Sequence, residues 1–193
     1  MTLLLPNLSF YCYSLSMPEI VQRTSPILHN EALPVPLEEI KSPKVAAVIE
    51  DMKKALASQK DGAAIAAPQI GVNLRIFVVS GRMLKIADKS YKGDGSDQVY
   101  INPEITKLSK EKKNLEEGCL SVRWLYGKVK RAARASITAY DENGELVKRG
   151  ASGVLAQVFQ HEVDHLNGIL FTDKASDVWE MTEEEIREAQ GKE

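Results

Sequence analysis

Two stretches of the chain repeat apolar residues at helical spacing. The first begins at Ser42-Pro43, a pair typical of a helix N-cap and first turn, and continues to about Ser58. Its apolar positions are Val45, Val48, Ile49, Met52 and Leu56. The second covers residues 154–168, with Ser152 as a candidate N-cap and Gly168 as a candidate C-terminal stop. We therefore predict an amphipathic helix over each stretch, the second about four turns long.

Short apolar runs elsewhere in the chain predict β-strands. The predicted strands are residues 74–80, 98–102, 136–140 and 145–148. The last two flank Asn143-Gly144, a step that is typical of a hairpin turn. Residues 81–97 are rich in Gly, Lys and Asp, and we interpret them as a polar excursion between the first two strands.

The two ends of the folded region have their own signals. Residues 18–43 carry several prolines, which predict an irregular segment that wraps the core. His29 lies in this segment, where we expect it to be exposed or locally hydrogen-bonded. Near the other end, Thr182 is followed three residues later by Glu185, a capping-box signature, so we predict a short acidic helix from about Glu183 to Gln190.

The second predicted helix carries a pattern typical of metal sites. His161 and His165 stand four residues apart, so both imidazoles leave the same helix face and can bind one metal ion. Val154 and Val158 extend that face, so the ion would lie at the floor of an apolar pocket. Glu162 lies about 100° around the helix from His161 and can accept a proton without binding the metal. Two hydrogen-bonded core histidines are the alternative, and the H-E-x-x-H spacing favours the metal site.

Cys119 is the candidate third ligand. It lies in E-E-G-C-L-S-V, residues 116–122, where Gly118 permits close approach of the backbone. A thiolate is a soft ligand that suits zinc or iron, and with two histidines it would leave a fourth position open for water. Considered alone, Cys119 is more typical of a buried core cysteine. Because of the histidine pair, we predict that it is a ligand.

Residues 61–71, D-G-A-A-I-A-A-P-Q-I-G, are mostly small. Small residues let the backbone approach another strand or a ligand, so this run fits either tight packing or a cleft wall. A metal in the predicted site would lower the pKa of a bound water towards about 7, and Glu162 is placed to take its proton. Attack on a carbonyl would also create an oxyanion. The side-chain amide of Gln69 and the backbone N–H of Leu120 are the candidate donors to it.

Composition and charge narrow the possible partners. The chain has 193 residues, 44% of them hydrophobic, which is enough for a single core. Acidic and basic residues nearly cancel, 27 against 25, with no long basic run, so we expect neither nucleic acid nor a membrane as a partner. Two cysteines, Cys12 and Cys119, make no disulfide framework, which indicates a reducing compartment. We predict a cytoplasmic protein.

Residues 1–16 differ from the rest of the chain, because they are apolar and aromatic and contain no Lys or Arg. A secretory signal needs a positive n-region and a transit peptide needs arginines, and the run is too short to span a bilayer. We therefore predict a poorly ordered extension or an upstream start, with Cys12 incidental. Residues 17–193 are predicted to form one catalytic metallohydrolase domain.

Three motifs together resemble those of the peptide deformylases. They are G-A-A-I-A-A-P-Q at 62–69, E-G-C-L-S at 117–121 and Q-H-E-V-D-H at 160–165, in the order and approximate spacing of that family. The resemblance extends from Met17 to Asp173. It implies an α+β fold in which antiparallel sheets surround a central helix bearing the two histidines, and the residue patterns above add a predicted helix near each end of the domain. It also implies an ion pair between Glu117 and Arg131 behind the metal site.

The resemblance implies an activity as well. Members remove the N-formyl group from formyl-methionyl polypeptides and release formate, so the implied partners are nascent chains, met in transient contact with the ribosome. The ligand set suits Fe(II), Zn(II), Ni(II) and Co(II) alike, and we expect Fe(II) in vivo. An apolar first side chain such as methionine would lie in a slot. The residues expected to line this slot are Gly62, Ala63, Ala64, Val154 and Val158.

Three positions depart from the family pattern. Ala64 stands where a second glycine is usual, Arg123 where a proline commonly follows the second motif, and Tyr126 where many members carry an arginine that faces the peptide. The predicted ligands and Glu162 are unaffected. We therefore expect these departures to change substrate fit rather than chemistry.

Two other functions remain as alternatives. H-E-x-x-H is also the signature of zinc endopeptidases, in which Glu180 or Glu183 could serve as the third ligand, but Phe171 occupies the third-histidine position of the longer metzincin pattern. That scheme leaves Cys119 and Gln69 unexplained. A peptide-binding module that has lost its metal is disfavoured, because all predicted ligands are present.

Overall fold

The computed structural model describes residues 18–87, 91 and 93–190, with only the backbone described for 188–190. The predicted extension 1–16, including Cys12, lies outside these residues. The described α-helices are α1 Pro43–Ala57, α2 Gly81–Ala87, α3 Gly153–Leu166 and α4 Glu183–Gln190. The described strands are β1 Ala64–Ala66, β2 Ile76–Val79, β3 Gln98–Leu108, β4 Lys112–Cys119, β5 Val122–Ala132, β6 Arg134–Tyr140, β7 Leu146–Ser152 and β8 Val178–Glu180.

The strands form two antiparallel sheets. One has five strands in the order β1-β2-β3-β6-β7, and the other has three in the order β4-β5-β8. Helices lie beside both sheets without βαβ alternation, so the predicted α+β class with antiparallel sheets is confirmed. No helix in the described part of the chain is long and apolar enough to cross a membrane.

Strand β2 is buried on both faces of the five-stranded sheet. Ile76 and Val78 pack in the cluster that contains the apolar face of α1, whereas Phe77 and Val79 pack in the cluster that contains α3. Because side chains alternate across a strand, helices on opposite faces require a continuous apolar run, which is the I-F-V-V of this strand. Phe77 stacks on Tyr100 at 4.7 Å between ring centroids, and Tyr100 meets the edge of Phe159 of α3 at 5.4 Å.

The ends of the two main helices follow the sequence signals in part. Ser42 Oγ accepts a hydrogen bond from Val45 N at 3.2 Å, as expected of the α1 N-cap. Ser152 occupies the N-cap position of α3 but makes no capping bond through its side chain. Gly168 follows α3 with φ of 71°, and an added Cβ would lie 2.8 Å from the carbonyl of His29, so glycine is required there. His29 Nε2 lies 2.8 Å from Arg23 O, which confirms the predicted local hydrogen bond.

Two parts of the fold differ from the prediction. Residues 81–87 form α2, so a polar excursion over the whole of 81–97 is wrong; Ser80 Oγ accepts from Met83 N, and Leu84 is fully buried in the cluster around α3. One buried leucine in two turns is too little periodicity to recognise. The β4–β5 hairpin was also missed, because its outward positions are Lys, Asn and Glu, residues that are depleted in strands.

Candidate metal centre and cleft

Helix α3 brings the two histidines together as their spacing predicts. The rings of His161 and His165 lie 4.9 Å apart between centroids and are inclined at 78°. His165 is 1% exposed, and its Nε2 lies 3.1 Å from Cys119 Sγ. Cys119 ends β4, immediately after a register shift in the β4–β5 pair that re-aims this residue. The ligand atoms of the three residues lie within 4.8 Å of one another, so they could hold one metal ion.

The electrostatics of these residues favour a cation among them. Burial opposes ionisation of the Cys119 thiol, but the adjacent His165 and His161 outweigh it and lower the pKa of Cys119 to about 5. Burial likewise opposes a charge on His161, yet Cys119 and Glu117 raise the pKa of this ring well above its usual range. Both shifts indicate that positive charge is stabilised beside Sγ. A thiolate and two imidazoles are also ligands that divalent transition metals accept, so the residues present fit such an ion.

Behind the histidines, a chain of buried charges fixes their orientation. Arg131 makes a two-pronged contact with Glu117, at 2.8 and 2.9 Å, and donates through Nη1 to Asp164 at 2.5 Å. Glu117 Oε2 also lies 3.0 Å from His161 Nδ1. Lys174 Nζ completes the chain at 2.6 Å from Asp164 Oδ1. The ion pair implied by the resemblance is therefore present, but its links to His161, Asp164 and Lys174 were missed.

Glu117 is ionised in this setting. Burial raises the pKa of its carboxyl, but hydrogen bonds from Arg131 and His161 outweigh burial and hold the pKa at about 2.

Asp164 lies inside the Q-H-E-V-D-H motif and is 8% exposed. Because Asp164 lies close to His165 on a buried helix, the sequence could have indicated that this charge has a buried partner of opposite sign.

Glu162 stands apart from that network. It is 4% exposed, and its Oε2 makes no hydrogen bond to any described residue. Burial raises the pKa of Glu162 to about 6, with the neighbouring histidines acting in the opposite direction. A carboxyl poised near neutral pH can both accept and return a proton.

Gln69 lies on the other side of the ligand group, in the 3-10 turn Ala67–Ile70 that follows β1. Its Oε1 accepts a hydrogen bond from Ala66 N at 2.8 Å, which fixes the orientation of the amide. Its Nε2 is thereby directed at Cys119 Sγ, 3.5 Å away, and at Ser121 Oγ, 3.2 Å away. Leu120, on the turn between β4 and β5, is 7% exposed. The sequence therefore identified residues from three separate elements that meet here.

A cavity of about 270 Å³ opens beside these residues. Ala63, Ala64, Val154 and Val158 line it, together with Gln69, Cys119, Leu120, His161 and Glu162. Val158 is 8% exposed, whereas Val154, one turn earlier on α3, is 50% exposed. Gly62 is buried behind the lining, where an added Cβ would lie 2.8 Å from Leu56 Cδ1. Gly62 therefore packs tightly against α1 and does not line the cavity, so its predicted place in the lining is wrong.

The cavity mouth contains residues that the sequence did not single out as a group. Asp61, Arg123 and Trp124 all line the cavity. Arg123 Nη1 lies 2.7 Å from Asp61 Oδ2, so an ion pair joins the segment before β1 to the start of β5. It holds the pKa of Asp61 below its usual value, although partial burial acts in the opposite direction. Residues 62 positions apart in the chain gave no local signal of this contact.

The acids proposed for a zinc-endopeptidase site lie elsewhere. Glu180 is in β8 and Glu183 begins α4, and both are exposed. Within the described ranges, the group of residues able to hold a metal consists of Cys119, His161 and His165.

Comparisons with known proteins agree with this geometry. The family model described as polypeptide deformylase matches residues 17–180. Peptide deformylase of Carboxydothermus hydrogenoformans is 39% identical over 160 residues, covering 83% of this chain and 94% of that protein. Chloroplastic peptide deformylase 1A of Solanum lycopersicum is 37% identical over 167 residues, which are 82% of this chain but 60% of that longer protein.

A solved structure leads to the same family. The crystal structure of peptide deformylase from Thermotoga maritima matches with a TM-score of 0.70 and 34% identity, over 84% of this chain and 99% of that one. The three motifs that carry the resemblance lie within residues 17–180, and the structure brings side chains from all three to one cavity. With its motifs, its fold and its relatives in agreement, this chain belongs to the peptide deformylase family.

Proposed function

We propose that this chain hydrolyses the N-formyl group of formyl-methionine at the N-terminus of newly synthesised polypeptides and releases formate. The observation that carries the proposal is that Cys119, His161 and His165 converge, and that two of them, Cys119 and His161, line one cavity with Glu162 and Gln69. A class I type b peptide deformylase from Acinetobacter baumannii has been solved with Met-Ala-Ser bound, at 33% identity and a TM-score of 0.72. We infer that the cleft of this chain likewise takes a peptide that begins with methionine.

Cys119, His161 and His165 hold one divalent metal ion in this proposal. Fe(II) is the ion we expect in vivo, and Zn(II), Ni(II) and Co(II) suit the same ligands. When bound, the ion supplies a Lewis acid and lowers the pKa of a coordinated water towards about 7. Glu117 keeps the proton of His161 on Nδ1, because an ionised carboxylate can only accept, and this leaves Nε2 free to act as the ligand.

Glu162 and the oxyanion donors act on the reacting atoms. Glu162 takes a proton from the attacking water as its oxygen adds to the formyl carbon, and returns that proton to the nitrogen as the C–N bond breaks. Formate and a free N-terminal amine are the products. The amide N–H of Gln69 and the backbone N–H of Leu120 donate to the oxyanion, and the bond from Ala66 N to Gln69 Oε1 pre-orients the Gln69 donor.

The methionine side chain is assigned to the apolar part of the cavity. Ala63 and Ala64 form one wall, and Val154 and Val158 on α3 form the other. Gly62 supports the first wall through its packing on Leu56. A slot between small and branched apolar residues accepts an unbranched apolar side chain, and its affinity comes from the surface it buries.

We further propose that residues 17–193 act as one catalytic domain, with α3 as its central helix. The face of α3 towards the five-stranded sheet packs through Phe159, and its other face carries His161 and His165, so one helix supports both the core and the chemistry. The substrates are nascent chains, so contact with the ribosome is transient. A cysteine that must stay reduced to bind a metal favours a cytoplasmic location.

Assay of matched peptides tests the proposal. Formyl-Met-Ala-Ser should be hydrolysed far faster than acetyl-Met-Ala-Ser, because the formyl carbon is more electrophilic and a methyl group must fit between the metal site and Gln69. An extra methyl group in a pocket accounts for only about 1 to 3 kcal/mol, so a larger preference requires steric exclusion or electrophilicity. Comparable rates on the two peptides would refute the proposal. Cleavage of an internal bond in a blocked peptide would instead support the endopeptidase alternative.

The metal requires a separate measurement. Protein purified without oxygen and analysed for its elements should contain about one divalent ion per chain, bound through the ligand set above. Treatment with a chelator should abolish hydrolysis, and return of Fe(II) should restore it. Full activity in metal-free protein would exclude the proposed role of Cys119 and the histidines.

A further inference from the structure

Trp124 has a backbone conformation that is rare for a bulky residue. Its φ is 69°, in the left-handed region that favours glycine. Holding a non-glycine residue there costs free energy, and such residues are concentrated at active sites and ligand clamps. The conformation therefore points to surroundings that hold Trp124 in place.

Two contacts hold this residue, and one of the contacting residues is itself fixed. Met181 N donates a hydrogen bond to Trp124 O at 2.8 Å, which ties the strained position to the chain after β8. The Arg123 guanidinium lies 5.5 Å from the centroid of the Trp124 ring, within cation–π range. Arg123 is itself fixed across the cleft, through Nη1 to Asp61 Oδ2 at 2.7 Å and Nη2 to Gln59 Oε1 at 2.5 Å.

The position of Trp124 indicates what its ring could contact. Trp124 lines the same cavity as Cys119, His161 and Glu162, and it is partly exposed. Asp61 and Arg123 form an ion pair in the same lining, and Asp61 is exposed, so the cavity opens to solvent on this side, which we call its mouth. A peptide with its formyl group at Glu162 and its first side chain against Val158 must continue outwards through that mouth. The Trp124 ring is then an apolar surface next to the residue that follows methionine.

Resting on the proposed function, we propose that Trp124 is a specificity-determining residue whose ring contacts the second residue of the substrate and favours a large apolar side chain there. Aromatic contacts of this kind add about 0.5 to 1.5 kcal/mol beyond area burial in proteins, which corresponds to roughly two- to tenfold in affinity. Arg123, held by Asp61, positions the ring.

The test compares formyl-Met-Phe-Ser with formyl-Met-Ala-Ser on metal-loaded protein. Wild-type protein should show a KM for the Phe peptide about two- to tenfold lower. Trp124→Ala and Trp124→Gly should both bring the ratio of the two KM values close to one, whereas Trp124→Phe should keep most of the preference. Trp124→Gly should also unfold at a higher temperature than Trp124→Ala, because glycine adopts φ of 69° without strain.

The two small variants separate the ring from the backbone. If Trp124 mattered only through its strained backbone, glycine and alanine would give different ratios, and the proposal would be overturned. It would also be overturned by a wild-type ratio of one, or by Trp124→Ala with the wild-type ratio. Leu146→Ala is the control, since it removes an exposed apolar side chain of β7 that does not line the cavity, and should keep the preference. Wild-type protein that hydrolyses neither peptide would refute the proposed function instead.

Discussion

His161 Nδ1 lies 3.0 Å from Glu117 Oε2, so a buried carboxylate from β4 sets the tautomer of a histidine on α3. Glu117 is in turn held by two hydrogen bonds from Arg131. A carboxylate that accepts from one ring nitrogen of a metal-binding histidine raises the basicity of the other nitrogen and fixes the direction in which it points. The geometry of the candidate metal site therefore depends on residues that cannot themselves reach a metal.

Glu117→Gln tests that dependence. The amide keeps the size of the side chain but can present its NH₂ group to His161 and no longer fixes the Nδ1 tautomer. We expect metal affinity to fall by roughly 10- to 100-fold, as for other contacts that orient metal ligands. Competition with a chelator of known affinity measures the change. Glu116→Gln, at an exposed neighbouring position, is the control and should bind metal as the wild type does. Unchanged affinity in Glu117→Gln would contradict the orienting role.

Arg131→Met should destabilise the fold. The change leaves the carboxylates of Glu117 and Asp164, which are 4% and 8% exposed, without their shared partner. Breaking a buried pair in this way costs about 3 to 5 kcal/mol in the free energy of unfolding. Urea unfolding of metal-loaded protein is the measurement. Lys130→Met, at an exposed position on the same strand, should change the free energy by about 0.5 kcal/mol or less. Equal losses in the two variants would show that the buried network contributes little.

Substitution of a metal ligand and substitution of Glu162 should have different effects on metal content and turnover. Cys119→Ala and His161→Ala should each lose stoichiometric metal, because a ligand is removed. Glu162→Ala should keep the metal and lose turnover, because the carboxyl only moves protons. Elemental analysis and the formyl-peptide assay on the same samples provide both readings. Near-normal deformylation by Glu162→Ala would show that another group transfers the proton.

Gln69→Glu replaces a predicted oxyanion donor with an acceptor of the same shape. Loss of one such donor typically lowers kcat by about 100- to 1,000-fold, and we expect a fall of at least this size with metal retained. Steady-state kinetics and metal content are measured together. Ser121→Ala removes only the hydroxyl that accepts from Gln69 Nε2 at 3.2 Å, so its kcat should fall much less. A large rise in KM with normal kcat in Gln69→Glu would assign Gln69 to substrate binding instead.

Ala64→Gly tests the position where the family pattern expects glycine. Ala64 pairs with Val79 in the sheet, is 7% exposed and lines the cavity. We therefore expect its methyl group to narrow the cavity without straining the strand. We expect unchanged metal content, a larger effect on KM than on kcat, and a weaker preference for formyl-Met over formyl-Phe peptides. Kinetics of both proteins on both peptides decide this. A large fall in kcat with unchanged KM would mean that Ala64 acts in the transition state.

The sequence alone determined the features that reside in one element. The spacing of four positions from His161 to His165 places both rings on one helix face wherever that helix lies in the fold. Ser42-Pro43 and the apolar period after it located α1, and the Asn143-Gly144 step located the turn between β6 and β7. These signals are local, because backbone geometry converts spacing directly into a shared face or a turn. Motifs from three parts of the chain then identified the family.

Only the tertiary structure decided what meets across elements. Cys119 reaches His165 over 46 positions because a register shift at the end of β4 turns it towards α3. Gly62 packs against Leu56 rather than lining the cavity, and Arg123 forms an ion pair with Asp61 at the cavity mouth. No spacing in the chain encodes these contacts, because they depend on how sheets and helices pack. Burial adds to this, since a buried charge is costly unless it is paired.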